Sequence, residues 1–185
     1  MIIESIFSTL GPGDQPNFAP MGITWGESVL TVRPFRATAT YTNLLATGCG
    51  VLSLTDDVLP FVQSSLYRVD LPHFPAHSIP GVILQGACSW RELQVLSVGG
   101  TPERAEIRCQ VVHTGHQREF LGFCRASVAV LEAAILATRL QAHTPAAVQE
   151  IMRHYAQIVE KTGGDNDRRA FHLVEQFIAS SLDHA

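Results

Sequence analysis

The sequence lacks the marks of several large protein classes, beginning with an excess of positive charge. Its 13 lysines and arginines are outnumbered by 17 aspartates and glutamates, for a formal net charge of −4. Neutralising nucleic-acid phosphates takes clustered basic residues, so we expect no nucleic-acid partner. The longest apolar run, 126–136, is interrupted by Glu132 and falls short of the roughly 20 residues that cross a bilayer. We therefore expect no membrane association.

Signals for export and for disulfide bonds are also missing. The first five residues contain no basic segment ahead of an apolar stretch, so we expect no signal peptide and a cytoplasmic location. No pair of cysteines has Cys-x-x-Cys spacing, and in a chain without an export signal this favours buried thiols. The four cysteines are Cys49, Cys88, Cys109 and Cys124.

Motifs for nucleophilic catalysis are absent as well. There is no Gly-x-Ser-x-Gly elbow, no Gly-Lys-Ser phosphate loop and no Gly-x-Gly-x-x-Gly. His73 with His77 and His113 with His116 have spacings found in metal sites. On a strand, however, positions three apart face opposite sides, so His113 and His116 could bind one metal only if a turn at Gly115 brought them together. We expect surface or turn histidines and no metal. A flavin enzyme would need no catalytic side-chain motif, since the cofactor carries the reactivity.

The residues that are present divide the chain into a β-rich part and a helical part. With 46% hydrophobic and 16% charged residues, the chain can build a core, and part of its apolar surface is expected to lie in an oligomer interface. Up to residue 123, Gly, Pro and Thr separate short apolar runs, which predicts six or seven strands. From residue 124 the pattern predicts three helices. This order is typical of an α+β fold, with domains at 1–123 and 124–185.

Turn and capping residues set the predicted element bounds. Strands are predicted at 2–9, 18–25, 28–34, 49–54, 87–98, 103–113 and 120–123. Helices are predicted at 40–47, 56–66, 125–143, from Pro145 to the glycines at 163–164, and 165–182. Thr40 is the expected N-cap of the first helix and Gly48 its end, whereas the proline-rich segment 70–80 is predicted to be a loop.

The candidate binding residues surround the start of the first predicted helix. Arg36, Thr38 and Thr40 crowd this helix N-terminus, where unpaired backbone amides favour an anion. Residues 28–55 include no acid, which suits a phosphate carrying about two negative charges. The alternative is structural: a strand of β-branched residues followed by a helix that Thr40 and Asn43 merely cap.

Three segments resemble the flavin reductase-like FMN-binding split barrels. They are Asn-x-Ala-Pro-x-Gly at 17–22, Pro-Phe-Arg-x-Thr-x-Thr-Tyr-x-Asn at 34–43 and Val-Leu-Ser-Leu-Thr-Asp-Asp at 51–57. The helix at 125–140 is similar to that of a branch of small proteins of unassigned function in this superfamily, except that Cys124 stands where that branch has Asn. The resemblance covers nearly the whole chain. It implies an antiparallel split β-barrel of the FMN-binding type followed by a small three-helix appendage.

The resemblance also implies FMN as the cofactor, held by matching residues of this chain. Arg36, Thr38 and Thr40 would bind the phosphate, and Asn43 would brace the loop. The ribityl chain and the edge of the ring would be lined by Asn17 and by the backbone of Ser53, Leu54 and Thr55.

The implied protein is a homodimer with its cofactor site near the interface. Trp90 and the loop 72–80 are candidates to reach the partner's cofactor. The implied function is a flavin-dependent oxidoreductase with an NAD(P)H or pterin-like donor. The alternative is a non-catalytic flavin-binding or ligand-sensing dimeric module.

Arg125, Glu132 and Arg139 are spaced seven apart and form one stripe on the predicted helix. The remainder of this helix is mostly apolar, so its charges are expected to be buried and paired. We expect Glu132 to bridge the two arginines. The functional alternative is that one arginine reaches an anionic cofactor or substrate.

Overall fold

The computed structural model describes residues 1–182. These residues form two compact units, one of residues 1–55 and 70–120, the other of residues 56–69 and the described residues from 121 onward. The contacts thus group segment 56–69 with the C-terminal helices, which hydropathy alone did not indicate.

The first unit is built on a closed antiparallel barrel. Its six strands are β1 (Ile2–Leu10), β2 (Pro16–Thr24), β3 (Val29–Val32), β4 (Cys49–Leu54), β7 (Ser89–Gly100) and β8 (Ala105–His116), and the unit also holds helix α1 (Ala39–Thr47) and the hairpin strands β5 (His73–Pro75) and β6 (Val82–Leu84). The barrel order is β1-β2-β3-β8-β7-β4, with every neighbouring pair antiparallel.

Alternating apolar side chains of these strands fill the barrel. Phe7 and Leu52 are register partners on β1 and β4, and both are fully buried. Leu93 on β7 and Ile107 and Cys109 on β8 belong to the same core cluster and are equally buried. Burying one such Phe or Leu contributes about 1.5–3 kcal/mol, so this interior is the main source of the unit's stability.

The hairpin of β5 and β6 covers part of the outer barrel surface. Val51, Ile83 and Trp90 form a small buried cluster there, with Phe74 packed edge-on against Trp90 at 6.0 Å between ring centroids. The indole lies directly on Gly115, where a Cβ would come within 1.9 Å of the ring. Only glycine leaves room for Trp90 at this position.

The second unit is a bundle of four helices. They are α2 (Leu59–Leu66), α3 (Arg125–Ala137), α4 (Pro145–Thr162) and α5 (Asp165–Leu182). Alanines form most of the buried face of α3, which lets its neighbours approach closely. Thr144 caps α4 by accepting from the Ala147 amide, and Ser127 donates to Asp167 at 2.7 Å. None of the helices within residues 1–182 is long and apolar enough to span a lipid bilayer.

Several predicted element bounds are corrected by the structure. Residues 120–123 form no strand, because Gly122 has φ +111° and turns the chain. The loop predicted at 70–80 contains β5, and the helix predicted at 125–143 ends at Ala137 before a short 3-10 turn. The helix predicted from residue 56 begins at Leu59, whose amide donates to the Asp57 carboxylate at 3.0 Å.

The stripe of Arg125, Glu132 and Arg139 is also arranged differently from the prediction. All three side chains are exposed, because α3 packs through its alanines on other faces. Within residues 1–182, Glu132 forms no ion pair with either arginine. The predicted internal bridge was therefore wrong.

Candidate functional site

Helix α1 begins with a free set of backbone donors. Thr38 is the N-cap, and its hydroxyl accepts from the Tyr41 amide, so Thr40, predicted as the cap, is instead the second helical residue. The first amides of a helix have no carbonyl partner one turn earlier, which leaves Ala39 and Thr40 N–H available to an anion. Gly48, in the left-handed region at φ +69°, ends the helix as predicted.

Arg36 lies beside this helix with its guanidinium held in place. Its Nε donates to Thr101 O at 2.7 Å and its Nη2 to Gly99 O at 3.0 Å, so it is tied to the turn between β7 and β8. Nη1 donates to the Tyr41 hydroxyl, and the guanidinium carbon lies 5.1 Å from the centre of that ring. Of the five guanidinium N–H groups, two remain for a ligand.

A network of four polar side chains joins α1 to the barrel. Asn17 Nδ2 donates to Thr40 Oγ1 at 3.1 Å and Asn43 Nδ2 donates to Thr9 Oγ1 at 3.1 Å. Asn17 also reaches Thr9 at 3.4 Å. Thr40 and Asn43 are only 3% and 5% exposed, whereas Asn17 is half-exposed. The network therefore holds α1 against strands β1 and β2, and within it Asn17 remains partly accessible to solvent.

Two acidic residues near strand β8 could affect the electrostatic potential at Arg36, because residues 28–55 themselves contain no acid. Glu106 lies across from this segment, but its carboxylate is occupied by Arg33, with Nη2 to Oε2 at 3.0 Å. Glu103 meets Arg36 through its backbone carbonyl, which accepts from the Arg36 amide at 3.0 Å. Glu106, the one acidic residue in β8, is thus ion-paired with Arg33 and not with Arg36.

The residues predicted at the end of β4 fall into two kinds. Ser53 is fully buried, and its hydroxyl accepts from the Leu84 amide at 3.3 Å, so its side chain belongs to the core. Leu54 and Thr55 are half-exposed. Thr55 Oγ1 lies 3.5 Å from Nη2 of Arg118, whose Nε also donates to Gly86 O at 2.9 Å. This end of the strand therefore carries a guanidinium that sequence reasoning missed.

Five of the predicted residues are thus brought together, on or beside α1: Asn17, Arg36, Thr38, Thr40 and Asn43. Leu54 and Thr55 form a second group with Arg118. Tyr41 and Thr9 were also missed as members of the first group. Tyr41 lies within the segment 34–43 and could have been included on that ground. Thr9, a single threonine on a strand, and Arg118, an arginine in a loop, have no sequence pattern that marks them.

Trp90 was expected to reach a partner's cofactor, and the structure corrects this. It is 6% exposed and lies beneath its own β5–β6 hairpin. Its Nε1 instead donates to the fully buried Glu92, which also accepts from the amides of His77 and Ser78 at 2.8 and 2.6 Å. Burial alone would raise the pKa of Glu92, but these hydrogen bonds and nearby His113 lower it. Glu92 thus anchors the loop between β5 and β6.

The remaining thiols and histidines form no further site within the described residues. All four cysteines are free, three of them buried as predicted, and burial raises the pKa of Cys109 to about 12. His77 stacks on His113 at 5.2 Å between ring centroids. Across residues 1–182, no group of three or more His, Cys, Asp or Glu side chains could hold a metal ion.

Comparison with solved structures matches this chain over nearly its whole length to an FMN-bound protein of Methanosarcina mazei. The identity is 27% and the TM-score 0.81, covering 95% of this chain and 94% of that one. An FMN-binding protein of Thermus thermophilus matches at TM-score 0.54 and 23% identity over 62% of this chain and 70% of its own. Flavoredoxin of Methanosarcina acetivorans matches at 0.56 and 10%, over 65% and 72%. These two likenesses show the fold.

Family models match both parts of the chain. The N-terminal domain model of a protein of unknown function (DUF447) matches residues 3–118, and a second DUF447 model matches residues 124–176. The Methanosarcina mazei protein carries the same family designation. The chain therefore belongs to the DUF447 family of unassigned function, and it has the split-barrel fold that its sequence segments predicted.

Proposed function

We propose that this chain binds FMN and acts as an FMN-dependent oxidoreductase. The observation that carries the proposal is the end-to-end likeness to an FMN-bound protein of the same family. The flavin reductase-like segments at 17–22, 34–43 and 51–57 support it independently.

The residues around α1 fit the phosphate end of FMN. A phosphate monoester carries about two negative charges and three strong acceptor oxygens. Facing it would be two N–H groups of Arg36 and the Ala39 and Thr40 amides. Thr38, the N-cap of α1, lies in the sequence between Arg36 and these two amides. Since Arg33 pairs with Glu106, this carboxylate is partly screened from the anion.

The rest of the cofactor would be held by amide, hydroxyl and backbone groups. Asn17, at the surface of the polar network with Thr40 and Asn43, suits the ribityl hydroxyls. Leu54 and Thr55 at the end of β4, with Arg118 alongside, suit the edge of the ring, which offers hydrogen-bonding groups but no full charge. When bound, the flavin supplies hydride and electron-transfer chemistry. The chain's own residues bind and orient it.

A titration with two flavins tests the phosphate assignment. Riboflavin has the ring and ribityl chain of FMN but no phosphate, so each variant is measured with both. Losing one charge-assisted hydrogen-bonding group costs about 1.5–3 kcal/mol, so Arg36→Ala should weaken FMN binding roughly 10- to 150-fold and leave riboflavin binding unchanged. Arg153→Ala is the matched control, because it removes one positive charge from an exposed position of helix α4 in the other unit, and it should retain wild-type FMN affinity.

Equal losses for FMN and riboflavin in Arg36→Ala would assign Arg36 to holding the turn at 99–101, not to the phosphate. The oxidoreductase part is tested separately. Stopped-flow mixing of the FMN-loaded chain with NADH or NADPH should bleach the flavin within seconds. A flavin that stays oxidised with both donors, and with a reduced pterin, would identify a non-catalytic flavin-binding module instead. The cytoplasmic location stays a prediction.

A further inference from the structure

Arg91 is a half-buried cation without an acidic partner. It lies on β7, where its register neighbours are Leu52 of β4 and Thr114 of β8. Within residues 1–182 it forms no ion pair, and burial lowers the pKa of its guanidinium with no carboxylate to offset the effect. Removing a positive charge from water costs free energy unless an anion compensates. A bound anion would relieve that cost.

The ring of Trp25 holds this guanidinium at one end of the barrel interior. Trp25 directly follows β2 and packs against the apolar core of the barrel. The guanidinium carbon of Arg91 lies 5.5 Å from the centre of the indole, a distance at which an aromatic ring attracts a cation. Leu93, two positions further along β7, is fully buried in the same core, so Arg91 faces the same side of its strand. The cation is therefore fixed beside a flat apolar surface.

One edge of the Arg91 guanidinium is left for a ligand. Its Nη1 donates to the backbone carbonyl of Trp90 at 2.8 Å. The other four of the five guanidinium N–H groups have no protein acceptor within residues 1–182. Those of Nε and Nη2 lie side by side in one plane, which matches the two oxygens of a carboxylate. The site thus combines one positive charge, a planar pair of donors and an aromatic surface.

The other arginine–aromatic pairs of the barrel unit lack this combination. The guanidinium of Arg36 lies over Tyr41 but donates to three protein oxygens. Arg104 stacks on Phe35 at 5.0 Å, but both side chains are exposed. Water solvates an exposed guanidinium, so no bound anion is needed to offset its desolvation. Arg91 differs in being both half-buried and mostly unoccupied.

We infer that Arg91 and Trp25 form a binding site for a small aromatic carboxylate. The carboxylate would accept from Nε and Nη2 of Arg91, and its ring would contact the indole. A singly charged carboxylate matches the single guanidinium, whereas a phosphate, with about two negative charges, would leave one uncompensated at a half-buried position. The inference does not depend on FMN, whose proposed phosphate site lies at α1.

Titration with benzoate and with its neutral analogue benzamide tests this site. In isothermal titration calorimetry the wild-type chain should bind benzoate about tenfold more tightly than benzamide or better, because only benzoate accepts charge-assisted hydrogen bonds. Arg91→Gln removes the charge, so it should reduce benzoate affinity to that for benzamide and leave benzamide affinity unchanged. Arg104→Gln is the matched control, because it makes the same change in an exposed arginine that also stacks on an aromatic ring. It should retain the preference for benzoate.

The unchanged benzamide affinity separates ligand binding from folding, since a collapsed barrel end would weaken both ligands. Equal losses for benzoate and benzamide in Arg91→Gln would therefore assign Arg91 to the packing of the barrel and overturn the inference. So would a wild-type chain with no preference for benzoate, or a preference that survives Arg91→Gln. Inorganic phosphate that binds more tightly than benzoate at the same ionic strength would contradict the assignment to a carboxylate.

Discussion

The buried carboxylate of Glu92 gives the most demanding prediction about the fold. It accepts three hydrogen bonds, from the amides of His77 and Ser78 and from Trp90 Nε1. In Glu92→Gln the new side chain keeps the shape but must turn an NH2 group toward at least one of these donors. One unsatisfied buried donor costs about 1–3 kcal/mol, and losing the charge weakens the other bonds by about 1 kcal/mol. We expect a total loss of about 2–4 kcal/mol.

The pH dependence of this loss has a definite sign. The pKa of Glu92 is lowered in the folded chain, since its hydrogen bonds and His113 outweigh the opposing effect of burial. Its contribution to stability is therefore complete above the unfolded-state pKa, about 4.3 for a glutamate, and is lost as pH falls through the lower folded value. The difference in unfolding free energy between the wild type and Glu92→Gln should be largest near neutral pH and shrink below about pH 4.

Urea unfolding followed by circular dichroism, at neutral pH and in a series down to acid pH, measures this difference. Glu106→Gln is the matched control, because it makes the same chemical change in an exposed ion pair. The side chains of Glu106 and its partner Arg33 are 48% and 40% exposed. Such pairs contribute about 0–1 kcal/mol. A loss for Glu92→Gln no larger than that of the control, or one that grows as the pH falls, would refute the account of Glu92 as the loop anchor.

Two further predictions concern the barrel. Gly115→Ala would push a methyl group into the Trp90 ring and should destabilise the chain by at least 1–3 kcal/mol, the usual cost of overpacking. Gly99→Ala, whose added Cβ would meet only a carbonyl at 3.9 Å, should be close to neutral in the same thermal melt. Because burial raises the pKa of Cys109 to about 12, iodoacetamide at pH 8 should leave this thiol unlabelled until urea unfolds the barrel, as mass spectrometry of the peptides would show; labelling of the folded chain would contradict the burial.

Most strands of the barrel could be predicted from sequence because apolar runs are separated by turn residues, whereas their closure into a split barrel was implied only by the resemblance of three segments to a known family. The hairpin that covers the barrel could not, since β6 has only three residues, Val82–Leu84, too few for a periodic signal. The cap of α1 was misplaced because Thr38 and Thr40 are equally good cap residues. Only the hydroxyl contact with the Tyr41 amide distinguishes them.

The candidate site was predictable where a motif carried it and not elsewhere. Arg36, Thr38 and Asn43 stand in one segment, so their proximity followed from the chain. Arg118 reaches Thr55 across 63 positions, a contact that no local pattern indicates. For Glu132 the spacing identified a helix face but not which face the bundle covers, and the predicted internal ion pair failed for that reason.

The most direct test of the flavin proposal is the visible spectrum of the chain after incubation with excess FMN and removal of the free flavin. We predict a yellow protein with flavin absorption bands, which releases one FMN per chain on denaturation, identified by mass spectrometry. A colourless protein that retains no flavin under these conditions would contradict the proposal.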